Sequence, residues 1–167
     1  MNEDELKSYL LKHFAQGFEV RVEVEGRFLV DDSKVVIDYL MRPKPDLVEK
    51  GFVPAWFGVE VKSPEGEGAK QGLRVAWQAI TYSQSKFDGV RPAFVLIFPP
   101  LAEFFSTPGE VYYVVCLLQK ANVGSIEIDG KKKKWKVKFG SNAYFYSDRG
   151  LSKTPNVGIK RHVGSWR

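Results

Sequence analysis

Asp38, Glu60 and Lys62 are the residues of this 167-residue chain whose types and spacing suit joint chemistry. Val36, Asp38 and Leu40 alternate along one apolar segment, which sets the Asp38 carboxylate beside apolar neighbours. An ionised group there is costly unless a cation or strong donors attend it. Glu60 and Lys62 stand two residues apart in a second segment and so project from one face of a strand. Consecutive strands are neighbours more often than not, so a carboxylate from one can meet a carboxylate and an ammonium from the next. Such a trio suits metal-assisted hydrolysis of a phosphodiester. Two carboxylates with backbone and water oxygens make a hard site for Mg²⁺. The ion polarises the phosphoryl group and helps generate hydroxide near neutral pH, and the lysine favours the deprotonated water and offsets developing charge. Taken singly, each residue has a plainer reading: Glu-x-Lys on a strand is commonly a solvated pair, and a strand Asp commonly serves a turn or an arginine.

The elements that must position them can be read from periodicity. Residues 3–15 read as an amphipathic helix with Leu6, Tyr9, Leu10, His13 and Phe14 at three- and four-residue spacing, closed by Gly17. Phe18, Val20, Val22 and Val24 then alternate with charged residues, which predicts a half-buried strand. Glu25-Gly26 predicts a turn into a paired strand over 27–30, and Asp31-Asp32-Ser33 precedes a third strand, 35–41, that carries Asp38. Residues 42–55, with Pro43, Pro45, Gly51 and Pro54, read as a loop long enough to suggest a functional role. Strand 56–62 carries Glu60 and Lys62, and a flexible connector over 63–68 leads to a helix over 69–87. That helix shows an apolar stripe of Leu73, Ala76, Trp77, Ile80 and Phe87, and a polar stripe of Gln71, Arg74, Gln78, Tyr82 and Ser85. The apolar run 93–98 suits a central strand covered on both faces, reached by a right-handed parallel crossover. Residues 111–118 read as a second buried strand holding an inert Cys116. Residues 125–129 and 132–139 flank Asp129-Gly130 as a hairpin. In the latter, Trp135, Val137 and Phe139 alternate with Lys134, Lys136 and Lys138, giving either a lysine-protected edge or a phosphate-tracking strip. Tyr144, Phe145 and Tyr146 either pack in the core or stack on unpaired bases. Residues 1–148 are expected to form one domain, and 149–167 a basic, loosely held tail.

Composition narrows the classes. With 44% hydrophobic and 27% charged residues the chain is globular in type. It holds no apolar run near the roughly 20 residues of a membrane helix. The acidic start argues against a secretory signal. A single cysteine excludes an internal disulfide and any cysteine-built zinc or iron–sulfur cage, and His13 and His162 are too few and too distant in sequence to suggest a metal pair. A soluble, cytoplasmic domain is the expectation. The net charge of +5 is unevenly spread: residues 1–100 hold 13 Lys/Arg against 15 Asp/Glu, residues 101–167 hold 12 against 5. A basic rear half points to a polyanionic partner, although a well-solvated surface gives the same balance.

Val36-Ile37-Asp38-Tyr39, then Gly58-Val59-Glu60-Val61-Lys62-Ser63, then Trp77-Gln78-Ala79-Ile80-Thr81-Tyr82 together resemble the PD-(D/E)xK, or restriction-endonuclease-like, nuclease superfamily. The resemblance spans about 100 of the 167 residues. It implies an α/β fold with a mixed central β-sheet flanked by helices, built as a helix, three antiparallel strands, a helix and a further strand, here with additional C-terminal strands. It implies Asp38 and Glu60 as ligands of Mg²⁺ or Mn²⁺ with the Val61 carbonyl, and Lys62 orienting and activating water. Gln78 and Tyr82 resemble the QxxxY helix motif of exonuclease and RecB-type branches, where such residues support the site and touch DNA. Ile37 stands where the family's proline would be, and Glu5 is the candidate for the acidic residue many members carry on the first helix. Arg74, Lys132 and Lys134 are candidates for DNA backbone contacts. DNA is the implied substrate, and a homodimer is compatible with the family. The rival reading is a nucleic-acid-binding module without catalysis, in which Asp38, Glu60 and Lys62 form a structural ion-pair cluster.

Overall fold

A capping box opens the first helix of the computed structural model, which describes residues 1–65, 68–132, 134–140, 142–146 and 150–151. The Asn2 side chain accepts from Glu5 N, and the Glu5 carboxylate accepts from Asn2 N, both at 2.9 Å. This satisfies two of the donors a helix start leaves open. The helix, α1 (Glu3–Phe14), buries Leu6, Leu10 and Phe14 along one stripe. It is followed by β1 (Phe18–Phe28) and β2 (Lys34–Pro43), an antiparallel hairpin. The turn expected at Glu25-Gly26 is absent, and β1 runs straight through it. Gly26 is there for a different reason: a Cβ at that position would strike the Lys86 carbonyl and the Phe87 ring of the neighbouring strand. The chain reverses instead at residues 29–33, where Ser33 N donates to Asp31 Oδ1 at 2.9 Å and Asp32 takes a positive φ of 59°.

Residues 42–55 are not a bare loop. They contain α2 (Pro45–Glu49), started by Pro45 in the first turn, and they bury Leu47 and Phe52 in the core. Next come β3 (Phe57–Val61) and α3 (Ala69–Ser83). The helix ends earlier than its periodicity suggests. Ser85 and Phe87 belong to β4 (Ser85–Phe87), which pairs with the outer edge of β1. β5 (Val95–Phe98) then lies parallel to β3, buried at every position, as its apolar run predicts.

A 3₁₀ turn (Leu101–Glu103) leads to α4 (Pro108–Lys120). This corrects the expected strand over 111–118. Pro108 opens the helix, Glu110 and Lys120 complement its two ends, and Val111, Val114, Val115 and Leu118 recur at helical spacing on the side that packs inward. Tyr112, Tyr113 and Leu117 point to solvent, and Cys116 is half-buried on a helix rather than inside a strand. The chain closes with β6 (Val123–Asp129), β7 (Lys134–Phe139), β8 (Asn142–Tyr146) and β9 (Gly150–Leu151). Asp129 Oδ1 accepts from Lys131 N and Lys132 N and so forms the predicted hairpin turn.

The result is a nine-stranded mixed sheet in the order β4-β1-β2-β3-β5-β6-β7-β8-β9. β2 runs antiparallel to both β1 and β3, and β3, β5 and β6 are parallel. Two cores flank the sheet. One gathers Leu6, Leu10 and Phe14 of α1 with Phe18, Phe52, Phe57, Phe94 and Trp135, with Phe57 and Phe94 stacked at 4.8 Å between centroids. The other gathers Val75, Ala76, Ala79 and Tyr82 of α3 and Leu118 of α4. The lysine ribbon alternates as expected: Trp135, Val137 and Phe139 are buried, while Lys136 and Lys138 pair with Glu127 of β6 at 2.6 and 2.8 Å. Among the described residues no helix is long and apolar enough to cross a membrane. The tail expected over 149–167 lies outside the described residues except at 150–151, as do Gly66 and Glu67 of the connector.

Candidate active site

β2 and β3 are paired at Met41–Phe57, Leu40–Gly58 and Tyr39–Val59, and the ladder stops there. One step further, where the register sets Asp38 opposite Glu60, a side chain takes over from the backbone: Asp38 Oδ2 accepts from Val61 N at 2.8 Å. The cause lies in the hairpin. Ile37 and Leu40 both pack on the α3 side of the sheet, while Tyr39 and Met41 pack on the α1 side. The strict alternation expected of Val36, Asp38 and Leu40 therefore fails at Asp38, and Val36 is exposed. Across the hairpin Glu23 has a positive φ of 50°, and Val20 and Val24 likewise fall on opposite faces. Such an irregularity re-aims a side chain and ends the local pairing.

On β3, Val59 and Val61 pack toward α1, so Glu60 projects to the opposite face, toward α3, while Lys62, just past the end of the strand, carries its ammonium back to α1. Lys62 N donates to Phe98 O of β5 at 3.0 Å, whereas Val61 N turns to β2. The N–H and C=O of one strand residue share an edge, which puts the Val61 carbonyl on the side of Asp38. Asp38, Glu60, Lys62 and that carbonyl are thus brought to the point where β2 and β3 part.

Glu60 is only 4% exposed. Burial, and after it the negative charge of Asp38, pushes its carboxyl up to about 9, against the pull of Lys62. Tyr82 of α3 is buried, edge-on to Phe87 at 5.9 Å. Burial, then the carboxylates of Glu60 and Asp38, raises its phenol well above the ordinary range. Gln78, one turn earlier, has a buried Oε1 with no hydrogen-bond partner, an acceptor that calls for a donor from outside the protein.

α3 reaches the site by a face the hydropathy pattern did not indicate. Leu73, Trp77 and Ile80 are 56%, 76% and 40% exposed, while Val75, Ala79 and Tyr82 face the sheet. Close packing decides the rotation. A Cβ on Gly72 would lie 2.6 Å from the Phe105 ring and 2.9 Å from Phe104 Cβ, so this position must stay inward and free of a side chain, which turns Leu73 and Trp77 out. The stripe that reads as the solvent side thereby carries Gln78 and Tyr82 inward.

Two residues of the site were missed in the sequence. Lys7 Nζ lies 2.7 Å from Asp38 Oδ1 and 3.4 Å from Glu3 Oε1, and Lys62 Nζ lies 3.0 Å from Glu3 Oε2. Burial works against the Lys7 ammonium, but the hydrogen bond and charge of Asp38, with Glu3, outweigh it and raise its affinity for the proton. The acidic residue of α1 that reaches the site is therefore Glu3, one turn before Lys7. Glu5, the expected one, is engaged in the capping box. The signal was an i, i+4 Glu-Lys pair flanking the buried Leu6.

The candidates for DNA contact lie apart. Arg74 is exposed on α3, near Gln71 Oε1 at 3.5 Å. Lys132, exposed and 3.8 Å from Asp129, and Lys134 sit at the β6–β7 hairpin, three strands across from β3, or roughly 14 Å at the usual strand spacing. Among the described residues no group of three or more His, Cys, Asp or Glu side chains is arranged to hold an ion. The donors on offer are two carboxylates and a backbone carbonyl. The chain matches no family model, no curated protein and no solved structure. What the site can do rests on its own geometry.

Proposed function

We propose that this protein is a divalent-metal-dependent nuclease of the restriction-endonuclease-like type that hydrolyses phosphodiester bonds of DNA. The observation that carries the reading is the pairing of Asp38 with a buried Glu60 at the parting of two strands, beside the Val61 carbonyl and with the Lys62 charge close enough to act on the Glu60 carboxyl. The element order supports it: α1, the antiparallel strands β1, β2 and β3, α3, and β5 parallel to β3 follow the plan that the sequence resemblance implies.

The donor set fits Mg²⁺ or Mn²⁺. Two adjacent carboxylates, one of them held protonated by burial and by its neighbour's charge, offer hard oxygen donors of the kind a dication takes. Asp38, Glu60 and the Val61 carbonyl would hold it, and when bound it would polarise the phosphoryl group and lower the pKa of water. The residues of the chain do the rest. Asp38 is fixed by Val61 N, so one ligand is preorganised before any ion arrives. Glu3 holds the Lys62 ammonium at the rim, where it can donate to the oxygen of the attacking water, orienting the nucleophile and offsetting negative charge. Tyr82 keeps its proton and remains a hydrogen-bond donor, and the unpartnered Gln78 Oε1 waits for a water or a nucleotide N–H.

The experiment is incubation with supercoiled plasmid and with end-labelled linear DNA in Mg²⁺, Mn²⁺ or EDTA, beside Glu60→Ala. Metal-dependent product that disappears in EDTA and in the variant is expected; nicked circles mark an internal cut, and label lost only from linear ends marks an exonuclease. One observation favours the non-catalytic rival. Both lysines of the cluster are already paired, Lys7 with Asp38 and Lys62 with Glu3. DNA binding that weakens steeply with salt, with no product under any ion, would select it.

A further inference from the structure

We infer that Lys7 is the resident counter-cation of Asp38, which a divalent ion must displace, so that this lysine sets the threshold for metal loading. The inference rests on the metal reading above and extends it to control of the same site. Asp38 has two carboxylate oxygens, and each is taken in a different way. Oδ2 accepts from Val61 N at 2.8 Å, while Oδ1 receives the Lys7 ammonium at 2.7 Å. Oδ1 is therefore the oxygen on which an incoming ion and Lys7 compete, since two cations on one oxygen repel. The pair is sheltered, with the two side chains 23% and 15% exposed, so salt screens it less than a surface pair.

A displaced Lys7 has somewhere to go. Glu3 lies one helical turn before it, 3.4 Å away, and also holds Lys62. Lys7 is thus positioned to exchange Asp38 for Glu3 without α1 unfolding. By linkage, the strength with which Lys7 holds Asp38 in the metal-free chain is subtracted from the affinity for the ion. Lys7 is a positioning residue: it holds a ligand in place, and it is not assigned any contact with substrate.

The test is direct binding of Mn²⁺ to the full chain, followed by the resonance of free Mn²⁺, in wild type, Lys7→Met and Lys7→Arg. Lys7→Met is expected to bind about ten-fold tighter, within the usual span of couplings between sites, and Lys7→Arg to return to wild-type affinity. Equal or weaker binding by Lys7→Met overturns the inference while leaving the metal reading intact. Failure of both wild type and Lys7→Met to bind Mn²⁺ overturns both. Should Lys7→Met not fold, the wild-type chain answers alone. Acetylation of Lys7, read by mass spectrometry against Lys12 of the same helix, is expected to run several-fold faster in saturating Mn²⁺. An unchanged or slower Lys7 rate contradicts the displacement.

Discussion

Glu60→Gln should stabilise the metal-free protein, and by an amount that grows with pH. The folded chain holds the Glu60 proton up to about pH 9 because the carboxyl is buried beside Asp38. The unfolded chain gives that proton up near the ordinary carboxyl value. Between about pH 5 and 9 the folded state therefore binds more protons than the unfolded state, and stability falls as pH rises, by up to about 1.4 kcal/mol per pH unit. Glutamine keeps the shape and does not titrate. From pH 5 to pH 8 the gap between variant and wild type should widen by as much as about 4 kcal/mol, and water entering the cleft reduces this toward about 2 kcal/mol. For a chain of this size each kcal/mol moves the melting temperature by about 2–4 °C. The assay is thermal unfolding of both proteins in EDTA at pH 5, 6, 7 and 8. Near-coincident midpoints at pH 5, with the variant several degrees higher at pH 8, are expected. Parallel curves across the range, or a variant less stable at every pH, would refute the claim that the folded protein holds a proton on Glu60.

Other outcomes follow from the same geometry. Lys62→Ala should reduce cleavage by a factor of about 10²–10⁴, with folding and DNA binding close to wild type by circular dichroism and gel shift; cleavage at the wild-type rate would remove Lys62 from the mechanism. Glu3→Gln should slow cleavage by about ten-fold or more by loosening Lys62 with little change in melting temperature, whereas Glu5→Ala should lower stability by about 1 kcal/mol through the lost capping box and leave activity intact. Gly26→Ala should cost about 1–3 kcal/mol in chemical denaturation, because its methyl group meets β4; an unaffected midpoint would contradict the close approach of β1 and β4.

Much of the frame was legible because its signals are local and repeated. The apolar run 93–98 and the Asp129-Gly130 turn each report a local pattern or turn chemistry that tertiary packing had no reason to override. The alternation of Phe18 to Val24 predicts a strand correctly but not its faces, since Val22 is exposed and Val20 and Val24 part at Glu23. The failures share one cause: apolarity was read as burial. Residues 111–118 are apolar all round and look like a covered strand, yet as α4 they leave Tyr112, Tyr113 and Leu117 in solvent. Leu73, Trp77 and Ile80 form the strongest apolar stripe of α3 and face outward, since close packing at Gly72 turns the helix. Gly26 was read as a turn residue because a glycine needed for close approach looks identical in sequence to one needed for a turn. At the site, strand spacing places Glu60 on the face opposite Val59 and Val61, but Lys62 lies past the end of β3 and is turned to Glu3 of α1. Lys7 and Glu3 were not found, because their role depends on where the start of α1 lands on the sheet, and nothing in α1 itself encodes that distance.

The sharing of one divalent ion by Asp38 and Glu60 is open to a single calorimetric titration. Mn²⁺ is added to wild type, Asp38→Asn and Glu60→Gln near pH 7.5, in two buffers of different ionisation enthalpy, so that protons leaving the protein are counted with the heat. One ion should bind wild type with release of about one proton, since Glu60 must lose its own to become a ligand; Glu60→Gln should release none, and Asp38→Asn should scarcely bind. Binding without proton release in wild type, or undiminished in Asp38→Asn, would contradict a shared ion at this pair.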